Sequence, residues 1–187
     1  MKQLVLPSLL ILFLLVSCTQ PPSSVDQASL LLGSFTENDV DVSIQLEKGL
    51  QDVSILSATF TPPDGYHLYS KDIPIGGLDG LGRPTLLELS TESQIKAVSE
   101  LMESVQPQIP DFEPKELLVY PAGRITLSIK IELPAGDQWL DDSVSVTYMA
   151  CSSNLCKPPV VGRIISVRIP SANTFDTPYH GKEIPNE

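Results

Sequence analysis

Residues 125–133 read ITLSIKIEL, and this stretch indicates how the chain folds. Its odd-numbered positions are all apolar, and its even-numbered positions are all polar. Successive side chains of a β-strand point to opposite faces, so this alternation predicts a strand with one face in a core and the other in water. A shift of one residue would exchange the two faces, so the pattern also specifies the register of the strand.

The same alternation recurs along the chain, at residues 40–46, 144–148 and 165–169. Two further segments with strand-forming composition lie at 53–61 and 85–89, and turns rich in proline and glycine separate the segments. Many short strands joined by such turns predict an all-β domain. We expect an immunoglobulin-like antiparallel β-sandwich, with a small β-barrel as the alternative.

One segment, residues 92–104, departs from this pattern and has the composition of a short helix. It is equally compatible with a strand that carries Ile95 and Ala97 out of strict register. The sequence leaves both interpretations open at this point.

The first 18 residues have the features of an export signal. A short start with one positive charge, Lys2, precedes an apolar run at 4–16, and Ser17 stands directly before Cys18. This order is typical of a bacterial lipoprotein signal peptide, whose lipobox ends at the cysteine that becomes acylated. We therefore expect lipidation of Cys18. The alternatives are an ordinary secretory signal, in which Cys18 is incidental, and an uncleaved anchor.

The remaining chain divides into three predicted parts. Residues 19–38 predict a tether, although Leu30-Leu31-Leu32 within it are expected to dock on the domain as a partial first strand. Residues 39–170 predict the sandwich domain, and residues 171–187 predict a C-terminal tail. The lipid anchor implies attachment to a membrane in the cell envelope, on the extracytoplasmic (periplasmic) face. Thr19 after the cysteine favours the outer membrane if the cell has two membranes.

The chain is acidic, with a formal net charge of −11. Binding to nucleic acid phosphates depends on clustered lysines and arginines, so this balance argues against a nucleic acid partner. Acidity of this size also serves simple solubility, which is the preferred explanation.

Two cysteines remain for chemistry if Cys18 is lipidated, since the chain has three. Cys151 and Cys156 have four residues between them in the stretch VTYMACSSNLCKPPV, residues 146–160. Disulfides persist in exported proteins, but this bond closes a loop of only six residues, so its contribution to folding stability is about 2 kcal/mol at most. The spacing alone leaves open a structural disulfide, a redox pair and a pair of metal ligands.

The neighbouring residues favour exchange chemistry. Lys157 follows Cys156 and favours its thiolate electrostatically. The loop between the cysteines is polar, and the two prolines after Lys157 cannot donate ladder hydrogen bonds. Thiol–disulfide exchange requires one sulfur to be open to in-line attack, and an accessible, rigid loop meets that requirement.

A metal site is the weaker interpretation, because the chain offers few further ligands. Its two histidines are His67 and His180, and a structural zinc site requires four ligands. Met149 together with the two thiolates suits Cu(I), which prefers soft sulfur ligands, so a Cu(I) carrier remains a minor hypothesis. We predict no metal and no other cofactor.

The cysteine stretch resembles the signature of the N-terminal periplasmic domain of the thiol:disulfide interchange protein DsbD. Two other stretches support this resemblance, PPDGYHLYSKDIPIGGLDGLGRPTLLEL at 62–89 and LLVYPAGRITLSIKIEL at 117–133. The likeness covers residues 38–169, and the segments occur in the same order. It implies the immunoglobulin-like sandwich that the alternation predicts.

The resemblance also implies roles for individual residues. Cys156 would be the exchanging sulfur and Cys151 the resolving one. The site would be lined by residues from the segment after Gly65 and by the lysine of the cysteine stretch, and it would be covered by an aromatic cap, for which Tyr120 is the candidate. The lining residues so implied are Tyr66, His67, Tyr69 and Lys157.

The expected function is therefore a lipid-anchored thiol–disulfide relay, a protein-disulfide reductase type of activity if it is enzymatic. Its expected partners are thioredoxin-like or membrane-embedded thiol–disulfide oxidoreductases. The alternative is a non-catalytic structural or binding lipoprotein in which the disulfide locks a loop.

Overall fold

The computed structural model describes residues 29–49 and 53–176, so the predicted signal peptide, Cys18 and His180 lie outside the described residues. Within these two ranges the chain forms eleven strands and one short helix. In the same ranges no helix is long and apolar enough to cross a membrane. The elements in chain order are β1 (Ser29–Glu37), β2 (Val40–Lys48), β3 (Ser54–Thr61), β4 (His67–Leu68), β5 (Leu86–Leu89), β6 (Lys96–Ala97), β7 (Met102–Glu103), β8 (Ile125–Glu132), β9 (Trp139–Tyr148), β10 (Ala150–Cys151), β11 (Val160–Pro170) and α1 (Ala172–Asp176).

The larger sheet has the strand order β1-β2-β3-β8-β6, and β7 also pairs with β8. All of its neighbouring strands are antiparallel. In β8 the side chains of Ile125, Leu127, Ile129 and Ile131 are buried, while the residues between them are less buried. The alternation of residues 125–133 thus predicts the strand and its inward face correctly.

A second, three-stranded sheet has the order β11-β9-β5 and is also antiparallel. The inward side chains of both sheets meet in one core that contains Val42, Leu56, Leu127, Val146 and Ile169. The predicted immunoglobulin-like antiparallel β-sandwich is therefore confirmed. A separate pair of short strands, β4 and β10, lies beside these sheets and carries part of the cysteine stretch.

The structure resolves the open interpretation of residues 92–104 in favour of strands. The helix is wrong: the segment contains β6 and β7, which both pair with β8, and a turn-rich stretch between them. Ile95 is 3% exposed and joins the main core. Burial of Ile95 and hydrogen bonding to the edge of β8 outweigh the weak helical preference of so short a segment.

Both ends of the domain differ from the predicted boundaries. Residues 29–37, which the sequence assigned to the tether, form the nine-residue strand β1 instead of a partial strand at Leu30–Leu32. At the other end, the predicted tail begins with α1, and Phe175 packs against the main core. Partly buried apolar side chains at both ends thus extend the folded unit beyond residues 39–170.

Candidate functional site

The site is built around a disulfide at the tip of a tight hairpin. Cys151 and Cys156 are joined by a bond of 2.03 Å, and their Cα atoms lie 4.0 Å apart. The two residues also form an antiparallel bridge, and the Lys157 amide donates to the carbonyl of Ala150. The polar loop between the cysteines is closed by the amide of Ser152, which donates to the carbonyl of Leu155 at 2.8 Å. The loop is therefore an ordered turn with the disulfide at its base.

The two cysteines differ in their access to solvent. Cys151 is 2% exposed and packs in a small apolar cluster, separate from the main core, with Tyr69, Leu117 and Val119. Cys156 is exposed on the other side of the bond. Because an incoming thiolate must approach the sulfur that it attacks in line with the disulfide, this arrangement directs attack to Cys156.

The structure places the strand that carries His67, and the ring of Tyr69, beside Cys151. β4 pairs with β10 so that His67 is opposite Cys151, and the ring of Tyr69 belongs to the same small cluster as Cys151. The two rings touch edge to face with centroids 5.4 Å apart. The close packing of Tyr69 depends on Gly82, since a Cβ atom there would lie 3.2 Å from the Tyr69 ring and 2.9 Å from Leu117.

The other face of His67 is covered by Phe112, a residue that sequence reasoning missed. The two rings stack with centroids 5.6 Å apart and planes inclined by 24°. Phe112 lies in the connection between β7 and β8 and remains 37% exposed. A usable signal was present in the sequence, because an aromatic residue between Asp111 and Glu113 and flanked by two prolines is not a pattern for a buried strand.

The surroundings of His67 keep its ring neutral. Burial lowers the pKa of His67 below its ordinary value of 6.5, because a charged imidazolium would lose water without gaining a partner. Its Nε2 atom is buried and has no hydrogen-bond partner. The His67 ring thus lies between Tyr69 and Phe112 on the strand that pairs with Cys151, in surroundings that favour its neutral form.

Tyr66 and Lys157 also lie together, but Lys157 is paired with a carboxylate and is not directed at Cys156 alone. The Lys157 ammonium sits 5.5 Å from the centre of the Tyr66 ring and forms an ion pair with Asp39. The hydrogen bond from Lys157 to Asp39 is the largest cause of the raised pKa of Lys157. The Lys157 ammonium, which the sequence predicted to favour the Cys156 thiolate, is therefore partly neutralised by the Asp39 carboxylate. This weakens its electrostatic effect on the sulfur.

Tyr120 does not have the position expected of a cap. It is 0% exposed and packs in the main core rather than in the cluster that contains Cys151. Its hydroxyl donates to Glu103 at 2.7 Å and accepts from the amide of Lys71, and burial is the largest cause of its raised pKa. A tyrosine held in this way stabilises the core, and Phe112 is the aromatic residue that stacks on His67.

The described residues contain no group of three or more histidine, cysteine, aspartate or glutamate side chains arranged to hold a metal ion. Met149, the further ligand of the Cu(I) hypothesis, is half-buried against the small cluster around Cys151. Its contacts there are those of a side chain that fills space between apolar neighbours.

Fold and site together define a β-sandwich domain with a half-exposed disulfide at a hairpin tip, a domain for thiol–disulfide interchange. The chain belongs to the family described as "Thiol:disulfide interchange protein DsbD, N-terminal", whose model matches residues 36–168. The resemblance stated for residues 38–169 is thereby confirmed.

Among solved structures, the chain is similar to the N-terminal periplasmic domain of ScsB from Proteus mirabilis. The two share 14% sequence identity with a TM-score of 0.47, and the match covers 79% of this chain. The match covers 52% of the ScsB chain, so this chain spans about half the length of the solved ScsB structure. No curated protein matches this chain closely enough to count as a relative.

Proposed function

We propose that this protein is an envelope-anchored thiol–disulfide relay that passes reducing equivalents through Cys151 and Cys156. Its partners are thioredoxin-like proteins or membrane-embedded thiol–disulfide oxidoreductases. The observation that carries the proposal is the pairing of an exposed Cys156 with a Cys151 that is 2% exposed. Membership of the DsbD N-terminal family supports the same chemistry.

The proposed exchange has two steps. A partner thiolate attacks the sulfur of Cys156, the bond to Cys151 breaks, and Cys151 leaves as a thiolate that takes up a proton. The partner's second thiolate then attacks its own sulfur in the mixed disulfide, and Cys156 leaves and is protonated. The net result is one oxidised partner and one reduced Cys151–Cys156 pair, with two electrons transferred, and the reverse sequence delivers those electrons to an oxidised client.

The contacts around the pair are consistent with attack at Cys156 and resolution by Cys151. Cys151 stays packed against Tyr69 and opposite His67, so it remains close to Cys156 when the bond is broken. A resolving thiol needs this proximity, because it must displace the partner from Cys156 when electrons flow outward. His67 and Tyr69 lie on the Cys151 side with Phe112 stacked on His67, and Lys157, the residue after Cys156, lies over the ring of Tyr66.

The experiment that tests the relay uses a matched pair of serine variants. Cys151→Ser is expected to form a stable mixed disulfide with a thioredoxin-like protein whose second cysteine is replaced by serine and whose first is activated as a thionitrobenzoate disulfide. The Cys156 thiolate displaces thionitrobenzoate, and neither protein then has a second thiol that can resolve the adduct. Cys156→Ser, with its remaining thiol buried, is expected to form little or none. Non-reducing electrophoresis and mass spectrometry of the adduct give the readout.

Two results would contradict the proposal. One is equal trapping by both variants, which would remove the distinction between the cysteines. The other is a wild-type disulfide that stays oxidised against excess reduced thioredoxin-like protein, with a reduction potential below about −300 mV. The second result would favour a non-catalytic lipoprotein with a loop-locking disulfide.

The location is part of the proposal and rests on the sequence. The signal at residues 1–18 supports lipidation of Cys18 and attachment to a membrane on the extracytoplasmic (periplasmic) face, in the outer membrane of a cell that has two. Cys18→Ser is expected to move the protein from the membrane fraction to the soluble envelope fraction and to abolish incorporation of labelled palmitate. Retention in the membrane fraction without label would contradict the lipid anchor.

A further inference from the structure

The turn between β1 and β2 contacts the residues that follow the disulfide. The Asn38 side-chain amide donates to the carbonyl of Pro158 at 2.9 Å, and the Asp39 carboxylate pairs with the ammonium of Lys157. These contacts join residues about 120 positions apart in the chain. They bring the first hairpin of the fold to the downstream side of Cys156.

The backbone of this turn accounts for its two residue types. Glu37 pairs with Val40, so Asn38 and Asp39 are the two central residues of the turn, and both have positive φ angles, 52° and 62°. A two-residue hairpin turn of this kind favours asparagine, aspartate and glycine. Glycine would satisfy the backbone equally well, so the side chains of Asn38 and Asp39 are available for another role.

The turn rests on a rigid base. Val40 is 0% exposed, and the hydroxyl of Tyr148 donates to the carbonyl of Glu37 at 3.0 Å. Tyr148 is itself 1% exposed and ends β9, which leads directly into the cysteine hairpin. The first hairpin and the strand before Cys151 are therefore fixed to one another.

The segment that the turn contacts has little backbone support of its own. Pro158 and Pro159 have no amide hydrogen, and pairing with β9 begins only at Val160, opposite Tyr148. Residues 157–159 are held instead by contacts with the turn. The Asn38 side-chain amide binds the Pro158 carbonyl, and the Asp39 carboxylate binds the Lys157 side chain. Stacking of the Lys157 ammonium over Tyr66 adds a third contact.

We propose that Asn38 and Asp39 are positioning residues for the redox pair: they hold the Lys157–Pro158 segment so that Cys156 stays beside Cys151 when the disulfide is open. The inference rests on the proposed relay and adds the residues that set its equilibrium. When the bond is closed, the disulfide itself restrains the loop. When the bond is open, the turn supplies that restraint. Loss of the turn contacts therefore increases the conformational freedom of the 156–158 segment more in the reduced form than in the oxidised form, which favours the reduced form.

The expected consequence is a change in the redox equilibrium with glutathione, in which the protein dithiol and one glutathione disulfide give the protein disulfide and two glutathione thiols. Asn38→Gly is expected to lower this equilibrium constant by about threefold, and the Asn38→Gly/Asp39→Gly double variant by about tenfold. Glycine is compatible with both positive φ angles, so these variants remove side-chain contacts and leave the turn intact.

Two matched variants separate positioning from general effects. Asp41→Asn removes one negative charge from the same hairpin. The Asp41 side chain accepts a hydrogen bond from Thr36 and has no hydrogen bond or ion pair with the described residues 151–158, so the variant is expected to leave the constant unchanged. Lys157→Met is expected to lower the constant in the wild-type protein and to have a smaller effect in the Asp39→Gly background, because both substitutions break the same ion pair and only the contact of Lys157 with Tyr66 is then left to lose.

The measurement is the fraction of oxidised protein across a series of glutathione buffers, with urea unfolding of each oxidised variant recorded in parallel. Equilibrium constants equal to wild type in the double variant would overturn the positioning role. An equal drop in Asp41→Asn would overturn it as well, since that variant changes charge alone. Glutathione replaces the protein partner here, so failure of exchange with thioredoxin-like proteins would contradict the relay and not this result.

Discussion

At the scale of single residues, the structure gives the two cysteines of the site different environments. Cys151 is buried among Tyr69, Leu117 and Val119, and Cys156 is open to solvent. Burial, more than any nearby charge, makes the difference, because the ammonium of Lys157 is already paired with Asp39. The contrast gives each sulfur one role in the proposed exchange, attack at Cys156 and resolution by Cys151.

His67 gives a prediction for the dependence of stability on pH. Its pKa is lowered in the folded protein, so the unfolded chain binds the proton more tightly. His67 therefore has no effect on stability above its unfolded pKa of about 6.5, and it destabilises the protein progressively as the pH falls below that value. Urea unfolding of the oxidised protein at pH 7.5 and at pH 5.5 measures this loss.

His67→Phe is the variant that tests this assignment. Phenylalanine retains a ring between Phe112 and Tyr69 and cannot take up a proton, so the loss of stability between pH 7.5 and pH 5.5 is expected to be smaller than in wild type. His180→Gln removes the other histidine and separates its contribution from that of His67. Equal pH dependence of wild type and His67→Phe would show that other groups cause it.

At the scale of elements, a glycine-rich loop at residues 76–82 forms the floor beneath Tyr69. Gly80 and Gly82 both have positive φ angles, 83° and 71°. They differ in surroundings: a Cβ atom on Gly80 would meet no atom within 4 Å, whereas one on Gly82 would press on Leu117 and Tyr69. The loop thus contains a natural pair of positions for separating backbone strain from side-chain contact.

Alanine substitutions at these two glycines are expected to differ in their effect on the free energy of unfolding. Gly80→Ala should cost about 1 kcal/mol through its backbone alone. Gly82→Ala should cost about 1–3 kcal/mol more, because the packed cluster beneath the disulfide must shift. Urea unfolding measures both losses of unfolding free energy. Equal losses would show that Tyr69 and Leu117 can move away from the added methyl group without destabilising the protein.

At the scale of the whole molecule, the folded unit begins earlier than the sequence suggested. β1 pairs with β2 over most of its length, and Leu30, Leu32 and Phe35 pack against the main core. Arg163 of β11 lies over the ring of Phe35 and pairs with Glu37, which connects the first strand to the other sheet. β1 is therefore part of the sandwich and supports the turn that contacts Pro158.

Two truncated chains test this boundary. A chain that starts at Ser29 is expected to retain the unfolding free energy of the mature protein. A chain that starts at Asn38 loses the partial burial of three apolar side chains and is expected to be less stable by about 3 kcal/mol. If the shorter chain unfolds at the same urea concentration, β1 contributes nothing to stability and the original boundary near residue 39 would be the correct one.

Much of this protein was determined by local sequence patterns. Alternation predicted the strands at 40–46, 125–133, 144–148 and 165–169, because the side-chain period of a strand is independent of its partners. These strands and the turns between them predicted the sandwich. The cysteine stretch identified the pair and, through family resemblance, its chemistry. These features depend on residues close together in the chain.

The tertiary structure decided what depends on distant residues. Which sulfur is exposed, the cover of Phe112 over His67, the burial of Tyr120 in the core and the contact of Asn38 with Pro158 each join segments tens of residues apart or more. Burial and ion pairing are properties of the assembled sheets, since each requires side chains from several strands to meet. The pattern of the chain thus predicted the scaffold and the redox pair, and only the packing of the strands assigned each residue around that pair its environment.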